Sequence, residues 1–361
     1  MRSMQPASEA APATRSGFLP GRVVHLHPTL TCNLACAHCY SSSAPQQGAS
    51  LDAATWRAAL PWLRAQGYDQ VSLSGGEPLV HPQIAEFVAA SQDAGLRVTL
   101  VSNGLLADAR HGPRHDALLN RLDGIAISFD GLAPVHNRLR GRADAFERAS
   151  QALARLAARG LPVAAAVSVT RAALPGLPEL AEHLVGLGAR ALQVRPVAPA
   201  GRARSLAEGH FCTPVDLQRL YLVMLALQQE LAPQVLVQCD LAPVQRLWQQ
   251  RDAYAALLAR CEQGDAPRRL SDLVNPLVVT ETGLLKPIAY DLDARYDIGQ
   301  LAEAGDALLA GYARHGLPAL RDLVGGALAT LGQPTMPLVD WFDLLARRSA
   351  ARRIPLLPVA A

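Results

Sequence analysis

Lysine is nearly missing from these 361 residues: Lys286 is the only one, and every other basic side chain is arginine. The net charge is a mere +3, which gives no reason to expect a nucleic acid partner. No run is apolar enough for long enough to span a bilayer, so no membrane helix is expected. The start, MRSMQPASEAAPATRSG, has no apolar core behind Arg2 and does not read as a secretory signal. Residues 1–20 are expected to be a disordered tail, and the protein cytoplasmic. Charged residues make up only 18% against 50% hydrophobic, which excludes a disordered chain. Cysteine is scarce as well, six in all, yet three of them fall within TCNLACAHCY, residues 31–40. In a reducing compartment such clustering points to metal or redox chemistry rather than to disulfides.

Short β-rich runs alternate with helical patterns through the first half of the chain. Strands are expected at 23–27, 70–74, 97–102, 124–129, 163–169 and 191–195. Helices fall between them at 53–66, 82–94, 143–159 and 177–187, with a weaker one at 116–122. Glycines 67, 95, 160 and 188 stand where helix ends want a left-handed residue. This alternation implies an α/β fold of parallel strands with helical crossovers, either an open sheet or a partial barrel. Ligands gather at the C-terminal strand ends in such folds. There the sequence places the cysteines, Gly75-Gly76-Glu77-Pro78, Ser102-Asn103-Gly104, Ser128-Phe129-Asp130-Gly131 and Arg195. After Pro196 the alternation is expected to stop. Helices are expected at 214–230, 244–260, 305–315, 318–331 and 338–348, with a hairpin around Thr282-Gly283. The expected division is therefore a tail over 1–20, a core domain over 21–205 and a smaller α+β region over 206–361.

Cys32, Cys36 and Cys39 have helical spacing, so a buried stripe of small apolar thiols is one reading. Thr31, Asn33 and the position after a strand favour a loop instead. Structural zinc takes four closed ligands, and His38 could complete such a set, but it adjoins Cys39 awkwardly for one tetrahedral centre. An iron–sulfur cluster fits better. A cubane normally takes four thiolates, and three leave one iron open to a small ligand.

CNLACAHCY resembles the Cys-x3-Cys-x2-Cys loop of the radical S-adenosylmethionine (SAM) superfamily, and SLSGGEPLV resembles its second signature. VSNG, SFDG and VRPVAPAGRAR extend the likeness over about residues 20–205. The resemblance implies a partial parallel (β/α)6 barrel. It implies that Cys32, Cys36 and Cys39 hold a [4Fe-4S] cluster whose fourth iron binds SAM, with His38 at the ring position before the third cysteine. Gly75, Gly76 and Glu77 would meet the methionine ammonium, with Pro78 fixing the turn. Asn103 and Ser128 would lie near the ribose or methionine part, and Asp130 near the substrate. The implied chemistry is reductive cleavage of SAM to a 5′-deoxyadenosyl radical that abstracts hydrogen from a substrate.

The arginine-rich stretch VHNRLRGRADAF reads as a solvated loop, although Arg140 could meet a SAM or substrate carboxylate; Arg195 is weighed in the same way. Arg202 and Arg204 are assigned to the surface. His25 and His27 read as structural histidines, and Trp56 and Trp62 as helix packing. The segment around Gly283 resembles the SPASM/twitch subgroup of maturases, but Ile288 stands where that subgroup has an auxiliary-cluster cysteine. Cys212, Cys239 and Cys261 are far apart and read as packed thiols. Tyr290, Asp291, Asp293 and Tyr296 are expected to form a substrate cap, with a carboxylate or tyrosine taking a proton. The subgroup analogy suggests a ribosomally made peptide as substrate. The alternatives are a small molecule or tetrapyrrole, or a non-catalytic iron–sulfur protein. A one-electron reductant such as flavodoxin or ferredoxin is the implied partner. The first twenty residues are too short for a leader-binding module, so a separate leader-binding protein would be needed.

Overall fold

The computed structural model describes residues 21–253, 256, 269–331 and 337–350. The expected tail, Cys261 and the end of the helix expected over 244–260 lie outside the described residues. Strands β1 (Val23–Leu26), β2 (Gln70–Leu73), β3 (Arg97–Ser102), β4 (Gly124–Phe129), β5 (Val163–Val169) and β6 (Ala191–Pro196) lie side by side in chain order. All five pairings among them are parallel. The main crossover helices are α1 (Ala53–Ala65), α2 (Ile84–Asp93), α3 (Asp116–Leu119), α4 (Ala133–Arg140), α5 (Ala145–Ala158) and α6 (Leu177–Gly186). This is the parallel α/β arrangement expected from the alternation, of the partial-barrel type that the resemblance implied.

Local chemistry explains the helices. Asp52 caps α1 by accepting from the backbone N–H groups of Ala54 and Thr55. Along α5 the buried residues Ala149, Ala152, Leu153 and Leu156 recur at helical spacing and cover the sheet. The glycines that follow α1, α2, α5 and α6 take up positive φ, as their positions suggested.

The two faces of the sheet differ in side-chain size. Toward the helices, Val71, Leu73, Val98, Leu100, Ile125, Ile127 and Phe129 are fully buried or nearly so. The opposite face carries Ala126, Ala164 and Ala191, with Val101 and Ala166 beside them. Strand alternation thus gives one packed face and one face of small side chains that leaves room for a ligand.

The sheet does not end at β6. Helix α7 (Pro214–Leu231) crosses over to β7 (Leu236–Cys239), which pairs parallel with β6. The expectation that alternation stops at Pro196 is corrected by this extra unit. Leu236 is 40% exposed on the sheet edge, so β7 lacks the apolar run of a central strand. At the other edge β9 (Leu277–Val279) pairs parallel with β1, and antiparallel β10 (Leu284–Pro287) and β11 (Gly299–Gln300) follow. The turn expected at Thr282-Gly283 joins β9 to β10. C-terminal residues therefore extend both edges of a ten-stranded sheet.

Beyond β7 come β8 (Leu241–Pro243) and the short α8 (Val244–Gln249). The helices expected at 305–315 and 318–331 are one, α9 (Asp306–Leu331), which continues through Pro318. Its buried face of Leu317, Leu320, Leu323, Val324, Ala327 and Leu328 outweighs one lost backbone hydrogen bond. The expected helix 338–348 begins instead with β12 (Leu338–Asp340), antiparallel to β8, and continues as α10 (Trp341–Ala350).

Replacing Leu153, which has no exposure, with Ala should cost about 2–5 kcal/mol in urea unfolding. Leu222→Ala, on a side chain 65% exposed, should stay within about 0.5 kcal/mol. Equal effects would contradict this assignment of the core.

Candidate functional site

The three cysteines lie on an irregular loop after β1, with no helix over residues 31–40, so the buried-stripe reading falls. The loop is tied to itself and to its surroundings by backbone bonds. Cys32 N donates to Ala44 O, Cys39 N to Cys36 O, and Ala37 N to Leu139 O. Cys32 is buried, Cys36 and Cys39 partly so, and all three are free. Burial pushes the Cys32 thiol up to about 12 and Cys36 up to about 11. Ser41 Oγ lies 3.5 Å from Cys39 Sγ and 2.8 Å from Ser43 Oγ.

The end of β2 packs directly on this loop. Gly76 N donates to Thr29 O at 2.8 Å and Glu77 N to Thr31 O at 3.0 Å. A Cβ on Gly76 would lie 2.1 Å from Thr31 O, so no other residue fits. The glycine is needed for contact with the cysteine loop itself. Pro78 opens a short 3₁₀ turn capped by the Glu77 side chain.

Glu77 was expected to face an ammonium. It is 1% exposed, and its carboxylate already accepts from Leu79 N at 3.2 Å, Ser102 Oγ at 2.9 Å and Asn103 N at 2.8 Å. Most of its acceptor capacity is therefore used in joining the ends of β2 and β3. Burial raises its pKa to about 6, against those hydrogen bonds. Asn103 Nδ2 in turn donates to Asn33 Oδ1 at 2.7 Å and lies 3.9 Å from Cys32 Sγ. Ser128 is half-buried and follows Ala126 on the small-residue face of β4.

Asp130 was expected near a substrate. It has no exposure; Arg140 Nε donates to Oδ2 at 2.6 Å and Nη2 to Oδ1 at 3.2 Å. His38 Nε2 lies 2.9 Å from Oδ1, and His136 Nδ1 lies 3.4 Å from Oδ2. Burial favours the protonated carboxyl, but the charge of Arg140 and the contact with His38 outweigh it and hold Asp130 well below the usual range. Arg140 is corrected: the solvated loop is helix α4, and its last guanidinium is turned inward onto the chain's own carboxylate. His38 Nδ1 is buried with no hydrogen-bond partner.

Arg195, the penultimate residue of β6, has its side chain 56% exposed and Nε 3.4 Å from Asp240 Oδ2. Tyr290 is the one member of the expected cap that reaches the loop. Its ring stacks on His27 at 4.6 Å and meets Tyr40 edge-on at 5.8 Å, while Tyr40 Oη lies 3.0 Å from His27 Nε2. Tyr290 Oη donates to Glu281 at 3.2 Å. Asp293 instead caps a turn and pairs with Arg295, Asp291 is half-buried, and Tyr296 is buried. Sequence reasoning missed Glu281, Tyr40 and the role of His27. It also missed Arg202, which binds three carbonyls of the cysteine loop. Its one signal was the glycine preceding it. Trp56 is buried packing, its Nε1 donating to Ser91 Oγ.

This loop-and-strand geometry has known counterparts. Residues 26–185 match the model of the Radical SAM superfamily, and this part of the chain is a radical SAM domain. Over 202 residues the chain is 26% identical to the sporulation killing factor maturation protein SkfB of Bacillus subtilis, covering 55% of this chain and 48% of that one. It is 36% identical over 170 residues to PqqA peptide cyclase of Ruegeria pomeroyi, covering 46% and 44%. With AdoMet-dependent heme synthase of Methanosarcina barkeri it shares 30% identity over 222 residues, covering 60% and 62%. The chain thus spans about half the length of the curated relatives it matches. Streptococcus suis SuiB, solved with S-adenosylmethionine bound, has the same fold at a TM-score of 0.61 and 15% identity, covering 84% of this chain and 68% of that one. Radical SAM domains use a [4Fe-4S] cluster and SAM. No helix among the described residues is long and apolar enough to cross a membrane.

Two outcomes follow. Asp130→Asn should cost about 3–5 kcal/mol by leaving the Arg140 charge buried and unpaired, and adding Arg140→Met should recover part of that loss in urea unfolding. Glu77 has a raised folded pKa, so from pH 4.5 to about 6 the unfolded chain ionises first and stability falls as pH rises. Glu77→Gln should flatten that slope in thermal unfolding across this window; an unchanged slope would refute the assignment.

Proposed function

We propose that the protein is a radical SAM enzyme that modifies a ribosomally made peptide, with Cys32, Cys36 and Cys39 holding the cluster. The observation that carries this reading is the three free thiols on one loop, wedged against Gly76 at the end of the neighbouring strand. The donor set suits a cluster better than a single ion. Among the described residues no three His, Cys, Asp or Glu side chains converge as a one-ion site would require. Thiolates on a cubane bind different irons and need no common point. Thiols pushed up by burial also need the positive charge of iron to ionise. The unpartnered Nδ1 of His38 fits a site that a bound group completes.

Bound there, the cluster and SAM supply reductive cleavage of the sulfonium and abstraction of hydrogen. The protein's part is to hold and orient. Asp130 Oδ1, 2.9 Å from His38 Nε2, fixes that ring between the second and third cysteines. Asn103 and Asn33 brace Cys32, and the Gly75–Pro78 turn closes the floor beside it. The small side chains at Ala126, Ser128, Ala164 and Ala166 give room above the sheet, and Arg195 offers a guanidinium at its rim. A carboxylate on substrate or SAM would compete there with Asp240.

The peptide substrate is supported by SkfB, the PqqA peptide cyclase and the shared fold of SuiB. A tetrapyrrole or other small molecule is the second reading, favoured by the heme synthase, which matches over the greatest length of the three relatives. Flavodoxin or ferredoxin as reductant, and a separate leader-binding protein, complete the proposal.

The test is anaerobic reconstitution, followed by measurement of iron, sulfide and 5′-deoxyadenosine. We expect iron for one cubane and 5′-deoxyadenosine formation, with Cys36→Ala reducing it to background. A rise in turnover with a precursor peptide encoded beside the gene supports the first substrate, and a rise with a porphyrin the second. Bound zinc without SAM cleavage would refute the enzyme reading.

A further inference from the structure

Arg202 lies on the chain returning from β6, and both terminal nitrogens of its guanidinium are turned onto the cysteine loop. Nη1 donates to Cys36 O at 2.6 Å, and Nη2 to Ser42 O at 3.0 Å and Ser43 O at 2.7 Å. Its own backbone N–H donates to Cys39 O at 2.9 Å. The preceding Gly201 has φ of 51°, and a Cβ on it would lie 2.0 Å from Tyr40 O and 2.6 Å from Cys39 O. The two segments therefore meet backbone to backbone, and only glycine allows it.

Charge adds a second observation. Arg140 and Arg202 both lie close enough to Cys36 to favour its thiolate. Arg140 is neutralised by Asp130. Arg202 faces carbonyl oxygens and forms no ion pair among the described residues, so its charge beside Cys36 is uncompensated. A thiolate-bound cluster is negative and becomes more so on reduction. A fixed cation in a partly buried setting favours the reduced form. The fork geometry fixes three carbonyls at once, which a lysine ammonium on a flexible stem could not do.

We propose that Arg202 is the positioning residue of the cluster loop: it fixes the spacing of the cysteines and raises the reduction potential of the cluster they hold. This rests on the reading of that loop as a cluster site. Neither contribution requires Arg202 to touch substrate.

The experiment compares the reconstituted full-length protein with Arg202→Gln, Arg202→Lys and Arg204→Gln. Arg204 is exposed, carries the same charge and lies two positions away, which makes it the control. The readouts are iron and sulfide per chain, the rate at which a chelator extracts the iron, and the midpoint potential by redox titration. Thermal unfolding of the apoproteins is followed alongside. Arg202→Gln should shift the potential to more negative values and speed iron extraction several-fold. Arg202→Lys keeps the charge, so its potential should stay near wild type while extraction still speeds up. Arg204→Gln should change neither.

Wild-type potential and extraction rate in Arg202→Gln would overturn the proposal. An equal potential shift in Arg202→Lys and Arg202→Gln would overturn its electrostatic part. If Arg202→Gln fails to fold, the lysine variant decides, and unchanged iron extraction there would overturn the clamp. A wild-type protein that takes up no cluster would instead refute the underlying reading, and the proposal with it.

Discussion

One buried carboxylate organises the site. Asp130 follows β4 with no exposure to water; its carboxylate ties Arg140 at the end of α4 to His38 between the second and third cysteines, and its backbone N–H donates to His136 Nδ1 at 3.2 Å. An unpaired carboxylate here would be costly, so its partners are fixed as firmly as the carboxylate itself. The cysteine loop has no regular secondary structure to hold it, and the Asp130 contact anchors its middle. Leu139 O, also on α4, accepts from Ala37 N and anchors it a second time.

Glu77 performs the matching task on the other side. Its oxygens bind the ends of β2 and β3 together, and Asn103, placed by that contact, reaches Cys32. The site is thus assembled from polar residues at the strand ends, cross-linked by two buried acids. Their electrostatics differ: Asp130 faces a guanidinium and stays ionised, whereas Glu77 has only neutral donors and is pushed upward. From the C-terminal half, Tyr290 stacks on His27 beside the loop. The radical SAM domain and the residues after it therefore share one rim. Ile288, where the SPASM subgroup has a cysteine, adopts φ of 67° and donates its N–H to Pro276 O. That is an unusual backbone for a β-branched residue.

Much of this was legible in the sequence. Strands β1 to β6 were placed to within a residue at each end, because buried parallel strands appear as short apolar runs between helical patterns and turn residues. The polar residues at their C-terminal ends were identified by the same rule. What sequence could not give was the direction in which a side chain points. Arg202 was assigned to the surface and Arg140 weighed between solvent and a ligand carboxylate, because arginine is the default cation of this chain, yet both turn inward onto the chain itself. Asp130 was placed at a strand end, but its partners, which come from 92 residues earlier and from the following helix, were not legible. Strand β7 escaped notice because an edge strand needs little apolar sequence. Pro318 suggested a break that the buried face of α9 overrides.

The account depends most on the claim that the cysteine loop holds a cluster with one iron open to SAM. The direct test is electron paramagnetic resonance of the reduced, reconstituted protein with and without SAM. The account predicts a single [4Fe-4S] signal, close to one spin per chain, whose g-values shift when SAM is added. A signal that SAM leaves unchanged, or its absence in a protein whose iron content shows the cluster to be present, would contradict it.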